Sequence, residues 1–423
     1  MTSPSEPGSV ADRLRAALDP VLEGPVEVED LQRLSGGASR ETWAFRAGGR
    51  ELILRRDPPG RPTPPGSMRA EADVMRACRG RGLRAPEVLL DDDGTVLGTA
   101  GLVMGRVPGE SLARKVLRDD RFEAARKVLL GHVADFMAGL HSIDPDEVPG
   151  APDSDEVGRY RAAYDVVEDR SPVFERAFEW LEANRPARSR TSLVHGDLRM
   201  GNVIVDEDGL AAVIDWEFIH RGDPLEDLAW WCVKAWRFGS HLDAGGVGTV
   251  DELIAAYEEA SGTRVDRSAL HWWLVQKTLM WGVICMGQAW AHLAGLVRSH
   301  ELAAIGRRVA EQEWDLIELL APEAHREAAA EALPAPLPDD PGVYGRPTAR
   351  ELLDSVRTFL AEDVMPATSG RLSFHARVAA NVLAIVEREL AQPPVDAGGD
   401  DWPSLARVVR TKLAVANPKY LDT

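Results

Sequence analysis

Two short stretches, Glu41–Phe45 and Glu51–Arg55, each carry a brief apolar run beside polar residues and are flanked by glycine-rich turns. Short apolar segments between turn signals predict β-strands. Arg56–Gly66 holds too many Pro and Gly residues for regular structure and reads as a loop. Met68–Arg79 then places Ala, Val and Met three and four residues apart, the spacing of an amphipathic helix. Glu87–Leu90 and Val96–Met104 are predicted to pair as a hairpin around Asp91-Asp92-Asp93-Gly94, because Asp-Gly tolerates the backbone of a tight turn. The acidic triplet is expected to be solvated. The first hundred residues thus read as a small sheet with one clear helix.

From Phe122 the period changes to that of helices, over Phe122–His141, Asp155–Val167 and Pro172–Asn184. Two short strands, Val203–Val205 and Ala211–Ile214, joined by the turn Asp206-Glu207-Asp208-Gly209, interrupt the helices, which resume through Leu320. Thr278–Val297 is largely apolar and about as long as a bilayer span. Gln288, His292, the neighbouring Lys277 and three glycines favour a buried helix over a membrane span. A Pro- and acid-rich linker, Leu333–Pro347, precedes helical patterns at Thr348–Val364, Leu372–Leu390 and Trp402–Val415. The expected class is α+β, with a sheet lobe over 1–104, a mainly helical lobe over 105–332, the linker 333–347 and a small all-α domain over 348–423.

The chain has 423 residues, of which 44% are hydrophobic and 28% charged, the balance of an ordinary globular protein with a core. Its 68 acidic and 49 basic residues give a net charge of -19, which opposes binding to a phosphate backbone and excludes nucleic acid as the expected partner. From Arg346 onward, ten basic residues balance ten acidic ones, so the excess negative charge lies in the first 345 residues. Three scattered cysteines, Cys78, Cys232 and Cys285, build neither a disulfide framework nor a CxxC metal site, and no secretory signal is visible at Met1–Asp12. A cytoplasmic location is expected.

The candidate chemistry lies at the strand interruption. His195-Gly196-Asp197-Leu198-Arg199-Met200-Gly201-Asn202 sets an Asp and an Asn five residues apart, and Ile214-Asp215-Trp216-Glu217 brings a second Asp thirteen residues after Asn202. Phosphotransfer sites of the protein-kinase type use this spacing: one Asp receives a hydroxyl proton, the Asn holds a metal ion, and the Asp beyond a hairpin holds the same ion. Mg²⁺ takes oxygen ligands and few from protein, so Asn202 and Asp215 are expected to supply the protein share beside phosphate oxygens and water. Asp197 is the expected catalytic group, orienting an acceptor alcohol in line with a γ-phosphate. His195 is expected to scaffold the loop, and Arg199 to contact either the transferring phosphoryl group or a neighbouring carboxylate.

These motifs resemble the aminoglycoside phosphotransferase and choline kinase family, whose loop carries H-G-D in place of H-R-D and whose metal Asp is followed by Trp-Glu. Val194–Glu217 carries the resemblance, the G-D-P-x-x-D-L-A segment Gly222–Ala229 extends it, and a weaker similarity covers roughly residues 28 to 320. The resemblance implies a two-lobed protein-kinase-like fold, with a small antiparallel-sheet N-lobe, a mainly helical C-lobe and a helical C-terminal appendix. It also implies ATP or GTP as phosphoryl donor and Mg²⁺ as cofactor. On that template the glycine-rich turn Ser35, Gly36, Gly37, Ala38 and Ser39 brings backbone N–H groups to the phosphates. Arg55 stands where the family commonly has a phosphate-pairing Lys, with Glu71 on the next helix as its partner, and Met104 lies in the hinge that faces adenine. Arg in place of Lys keeps the charge and adds bidentate geometry. Asp223 and Asp227 are expected to cap helix amides and pin the catalytic loop.

The acceptor is a hydroxylated small molecule. The segments Leu34–Thr42 and Leu54–Gly60, with the appended tail, resemble a branch of these kinases linked to acyl-CoA dehydrogenases, which implies a hydroxyacyl-CoA or related metabolite. An aminoglycoside or a choline- or ethanolamine-type alcohol is the alternative. The tryptophans Trp230, Trp231, Trp236, Trp272, Trp273, Trp281 and Trp290 serve either as helix core or as an aromatic wall for the acceptor. A nucleotide-binding pseudokinase is the non-enzymatic alternative, opposed by the intact set Asp197, Asn202 and Asp215. The C-terminal helical domain resembles a domain of unknown function, and is expected to engage a protein partner, to self-associate or to cap the substrate.

Overall fold

The computed structural model describes residues 7–34, 40–60, 64, 66–167, 169–187, 190–395 and 399–422. The chain forms two compact units, one from Met1–Ser154 with Ala187–Leu270, the other from Asp155–Pro186 with His271–Thr423.

The first unit opens with a helix, Pro7–Leu18, that the sequence reading did not anticipate. Val10, Leu14, Ala17 and Leu18 share one face of it and are buried against the sheet. That sheet has five antiparallel strands, β1 (Glu29–Arg33), β2 (Glu41–Ala47), β3 (Arg50–Arg56), β4 (Val88–Asp93) and β5 (Ala100–Gly105), in the order β1-β2-β3-β5-β4. β2 and β3 join through Gly48 and Gly49, both with positive φ, the backbone of a two-residue hairpin turn whose twist matches the strands. Trp43 and Phe45 on β2, with Leu52 and Leu54 on β3, point into the core under the first helix. Because side chains alternate across a strand, Arg55 faces the other way, toward the helix Ser67–Gly80 that carries Glu71.

The acidic triplet behaves differently from expectation. β4 continues through Asp93 and β5 starts at Ala100, so the connection is six residues long and not a tight Asp-Gly turn. The Asp92 carboxylate accepts N–H bonds from Gly94, Val96 and Leu97 at 2.9–3.2 Å, and Asp93 accepts one from Thr95 at 3.0 Å. Asp92 thus organises the loop that brings Leu97 into the core.

The rest of this unit supports the loop carrying Asp197. Strand β6 (Ser192–Val194) leads into it, β7 (Val203–Asp206) and β8 (Gly209–Val213) form the expected hairpin after it, and β9 (His220–Gly222) returns to pair with β6. The longer helices of this part are Glu123–His141, Leu225–Cys232, buried along its whole length, and Val250–Ser261, which starts with a Thr249/Glu252 capping box.

The second unit is helical. Glu156–Val166, Pro172–Ala183, most of Arg267–Leu293, Val309–Leu320, Pro322–Ala330, Ala349–Thr358, Gly370–Leu390 and Trp402–Ala416 are its main helices. The Thr278–Val297 stretch is buried only as far as Met286; Trp290, Leu293 and Leu296 are exposed and the helix stops at Leu293. No described helix is long and apolar enough to cross a membrane.

In the helix Val309–Leu320 three of the four acids point inward: Glu311, Glu313 and Asp315 are buried. The C-terminal segment answers each of them. Asn417 donates to Glu311 at 2.9 Å, Lys412 to Glu313 at 3.1 Å and the Tyr420 hydroxyl to Asp315 at 2.6 Å. A buried carboxylate without donors is costly, so these contacts tie the tail to this helix. Lys412→Met is expected to destabilise the protein by about 1–3 kcal/mol, the cost of depriving a buried polar group of a partner. Unfolding midpoints check this, and a midpoint equal to wild type rejects it.

Candidate active site

The loop between β6 and β7 is shaped by its glycine and its histidine. Gly196 has φ +79, and a Cβ there would sit 2.6 Å from the Phe218 carbonyl oxygen, so the middle position of H-G-D admits no side chain. His195 is fully buried against Trp216, with ring centroids 4.6 Å apart. Its Nδ1 accepts the Asp197 N–H at 3.2 Å, which leaves Nε2–H to donate to the Ile214 carbonyl at 3.1 Å. Burial holds its pKa below the ordinary value, against the pull of Asp227, Asp197 and Asp215. A neutral ring with both nitrogens engaged is a strut between the 195–202 loop and the residue before Asp215.

Asp227 pins the same loop. This fully buried carboxylate accepts the N–H groups of His195 at 2.9 Å and Gly196 at 3.0 Å, and His141 Nε2 lies 3.2 Å away. Burial alone would raise its pKa, but the His141 hydrogen bond and charge, with His195, outweigh it and hold the pKa low. A carboxyl depressed in the folded state stabilises the fold above its unfolded pKa of about 3.9 and loses that contribution as pH falls through the folded value. Asp227→Ala is expected to cost about 1–3 kcal/mol for each of the two stranded N–H groups and to flatten the acid side of the stability profile. Denaturant titrations from about pH 5 down to about pH 2 test this, and an unchanged acid limb refutes it. Asp223 Oδ1 accepts the Leu225 N–H at 3.0 Å, the cap that its place in the sequence implies.

Asp197 is largely buried, with 14% of its side chain accessible. Its Oδ1 receives Arg199 Nε at 3.1 Å and the Trp230 indole N–H at 2.7 Å, while Oδ2 receives Asn202 Nδ2 at 2.6 Å. Burial raises its pKa, Asp215 adds to the rise, and Arg199, His195 and Trp230 oppose it. Asp197 and Asn202 are therefore in direct contact, and the Ile214 N–H bonds to the Asn202 carbonyl at 3.0 Å, which carries the chain on to Asp215. Asp215 has φ +69, an uncommon left-handed position for a residue with a side chain.

Arg55 reaches Asp215 Oδ1 at 2.6 Å and Glu71 Oε2 at 3.5 Å, so the structure brings together the predicted Arg55, Glu71 and Asp215. Burial disfavours the Arg55 charge, but Asp215, Glu71 and Glu217 outweigh it and raise its pKa. Arg40 joins them, bonded to Glu71 and lying 3.8 Å from Asp57 and 3.9 Å from Glu217. The guanidinium groups of Arg40 and Arg55 thus lie among the carboxylates of Asp57, Glu71, Asp215 and Glu217. Among the described residues no group of three or more His, Cys, Asp or Glu side chains forms a closed metal site. One amide oxygen from Asn202 and one carboxylate from Asp215 fit an ion that takes most of its ligands from phosphate and water.

Met104 is buried in β5, paired with Ile53 on one side and Val88 on the other, and the next two N–H groups, of Gly105 and Arg106, are donated to Glu87 and Glu51. Ser35, Gly36, Gly37, Ala38 and Ser39 lie outside the described residues. Sequence reasoning missed Arg40 in the charge cluster, and it weighed Trp230 and Trp236 only as helix core or an acceptor wall, not as partners of Asp197 and Arg199. Arg40 follows the glycine-rich turn directly, which was a signal; for the tryptophans only proximity in the fold separates site from core.

The sequence model of the phosphotransferase enzyme family matches residues 30–273, and that of a domain of unknown function (DUF6285) matches residues 366–402. Acyl-CoA dehydrogenase family member 11 of Gallus gallus is 26% identical over 88% of this chain, and family member 10 of Mus musculus 31% identical over 58%. The chain spans 50% and 24% of the lengths of those two relatives. Viomycin phosphotransferase of Streptomyces vinaceus is 33% identical over 37% of this chain and 59% of its own length. A solved structure from Ralstonia eutropha shares the fold at a TM-score of 0.59, with 22% identity over 73% of this chain and 98% of that one. A thermostable mutant of aminoglycoside phosphotransferase APH(4)-Ia in its apo form gives 0.51, with 19% identity over 76% of this chain and 100% of that one. These neighbours bear out the kinase-like fold with its antiparallel sheet and helical remainder. With the family model covering more than half of its length, the chain belongs to the phosphotransferase enzyme family.

Proposed function

We propose that this phosphotransferase moves the γ-phosphate of ATP or GTP to a hydroxyl of a small metabolite, with Asp197 as the group that orients the alcohol and takes its proton. The observation that carries the reading is the convergence of Asp197, Asn202, Asp215 and Arg55 within one compact unit. A carboxylate raised by burial is a better proton acceptor than an exposed one. Arg55, held by its partner Glu71, and the glycine-rich turn 35–39 would hold the nucleotide phosphates, and Met104 would lie along the base. Asn202 and Asp215 would hold Mg²⁺, which supplies charge neutralisation at the phosphates when bound. A fold neighbour described as a ternary complex with AMP-PNP and hygromycin B, at a TM-score of 0.50, supports a nucleotide as co-substrate.

A hydroxyacyl-CoA is the favoured acceptor class, because the relative that matches 88% of this chain is named as an acyl-CoA dehydrogenase family member. An aminoglycoside or related antibiotic is the second reading, motivated by the viomycin phosphotransferase match. We take residues 1–104 as the nucleotide lobe, 105–332 as the acceptor lobe and 348–423, beyond the 333–347 segment, as a module for a protein partner or a second copy, in a cytoplasmic enzyme. Acceptor-stimulated ADP formation, screened over hydroxyacyl-CoAs, aminoglycosides and choline-type alcohols, tests the acceptor. Stimulation by an aminoglycoside alone overturns the acyl preference, and no Mg²⁺-dependent turnover with any of them or with water overturns the enzyme.

A further inference from the structure

Trp230 sits on the fully buried helix Leu225–Cys232 and is itself 2% exposed. Its indole N–H is donated to Asp197 Oδ1 at 2.7 Å, and the same oxygen receives Arg199 Nε at 3.1 Å. A carboxylate oxygen offers two lone pairs, so two donors fill Oδ1. Oδ2 receives one donor, Asn202 Nδ2 at 2.6 Å, and keeps one lone pair. The two oxygens of Asp197 are therefore unequal.

The second donor to Oδ1 is immobilised by aromatic packing. The Arg199 guanidinium lies over the Trp236 ring, with Cζ 4.7 Å from its centroid. It also covers Gly201, where a Cβ would collide with its Nη1. Trp236 packs edge-on against Trp230, with centroids 5.1 Å apart. A tryptophan pair thus fixes both groups that grip Oδ1.

We infer that Trp230 is a positioning residue for Asp197: with Arg199 it commits Oδ1 to the protein and leaves Oδ2 as the oxygen that receives the acceptor's proton. This rests on the proposed role of Asp197. In the step itself the acceptor O–H bond breaks and its proton passes to Oδ2. The acceptor oxygen bonds to the γ-phosphorus of the nucleoside triphosphate. The bond from that phosphorus to its bridging oxygen breaks, and the electron pair leaves on the nucleoside diphosphate. Trp230 touches none of these atoms. It holds the base so that the open lone pair stays open, and without its N–H the carboxylate can rotate and offer either oxygen.

Trp231 provides the control. It lies on the same helix, is fully buried, and its indole nitrogen has no hydrogen-bond partner among the described residues. In the whole 423-residue chain with Mg-ATP and water as the acceptor, Trp230→Phe is expected to lower kcat about tenfold or more while KM for ATP stays at the wild-type value. Trp231→Phe, with the same loss of ring volume, leaves both constants unchanged. In the indole ¹⁵N–¹H spectrum of the otherwise intact protein, Asp197→Asn should move the Trp230 signal, which is absent from Trp230→Phe, and leave that of Trp231 in place. The inference is overturned by wild-type kcat in Trp230→Phe, by an equal fall in Trp231→Phe, or by a Trp230 signal indifferent to Asp197→Asn. If Trp230→Phe does not fold, the signal that moves in Asp197→Asn decides the matter alone. An Asp197→Asn variant that still transfers phosphate defeats the proposed base. An inactive Asp197→Asn beside a fully active Trp230→Phe leaves the base standing and removes only the positioning role.

Discussion

Asp197→Asn is expected to lower phosphoryl transfer by about 10²–10⁴-fold, the range that a positioned proton acceptor supplies, with nucleotide affinity nearly intact. The substitution keeps the size of the side chain and reverses its polarity at one atom. Trp230 and Arg199 both donate to Oδ1, so the amide oxygen of the asparagine would take that place. Its NH₂ group then falls where Oδ2 was, facing the Nδ2 donor of Asn202 and the incoming hydroxyl, with no lone pair for either. Arg55 and Glu71 make none of these contacts, so the phosphate end of the site should bind as before. ADP formation in the presence of acceptor reads the rate and calorimetry reads the nucleotide affinity. Equal rates for variant and wild type would reject Asp197 as the proton acceptor.

Asp215→Ala should act on the opposite half of the site. In the structure Arg55 is bonded to Asp215 at 2.6 Å, so the proposed phosphate ligand and the proposed metal ligand neutralise each other. Removing the carboxylate frees the guanidinium for phosphate and takes away an oxygen that an ion would need. Nucleotide binding without metal should therefore hold or strengthen, while the increment that Mg²⁺ adds disappears. Loss of a direct ligand should exceed the roughly 10–100-fold that loss of an outer partner costs in metal affinity. Calorimetric titrations with and without Mg²⁺ separate the two effects. An unchanged affinity for the magnesium nucleotide would show that Asp215 is no ligand.

The local signals in the chain were sufficient for most elements and for the spacing of the site. The short extended segment Glu41–Phe45 and the helical period in Met68–Arg79 survive as β2 and the Ser67–Gly80 helix, each extended by one or two residues. β1 was not legible, since Glu29–Arg33 is an exposed edge strand with a single apolar residue, and pairing with β2 rather than sequence pattern makes it extended. The Pro7–Leu18 helix carried its apolar face openly and was passed over. The Asp-Gly signal at 93–94 misled because Asp92 hydrogen-bonds three loop amides, an interaction that a two-residue turn does not contain. Within the site, spacing linked Asp197 to Asn202 because five residues are one loop. Arg40 with Glu217 and Trp230 with Asp197 are juxtapositions made by packing elements far apart in sequence, and no motif announces them.

The inward-facing acids of Val309–Leu320 bear on how the chain can be shortened. A fragment ended at the Pro-rich stretch would retain that helix and discard Lys412, Asn417 and Tyr420, taking one donor from each of three carboxylates and uncovering the face the tail now packs on. Such a truncation would trade solubility for brevity, and a proteolytic nick near residue 395 should leave both pieces clinging together under native conditions.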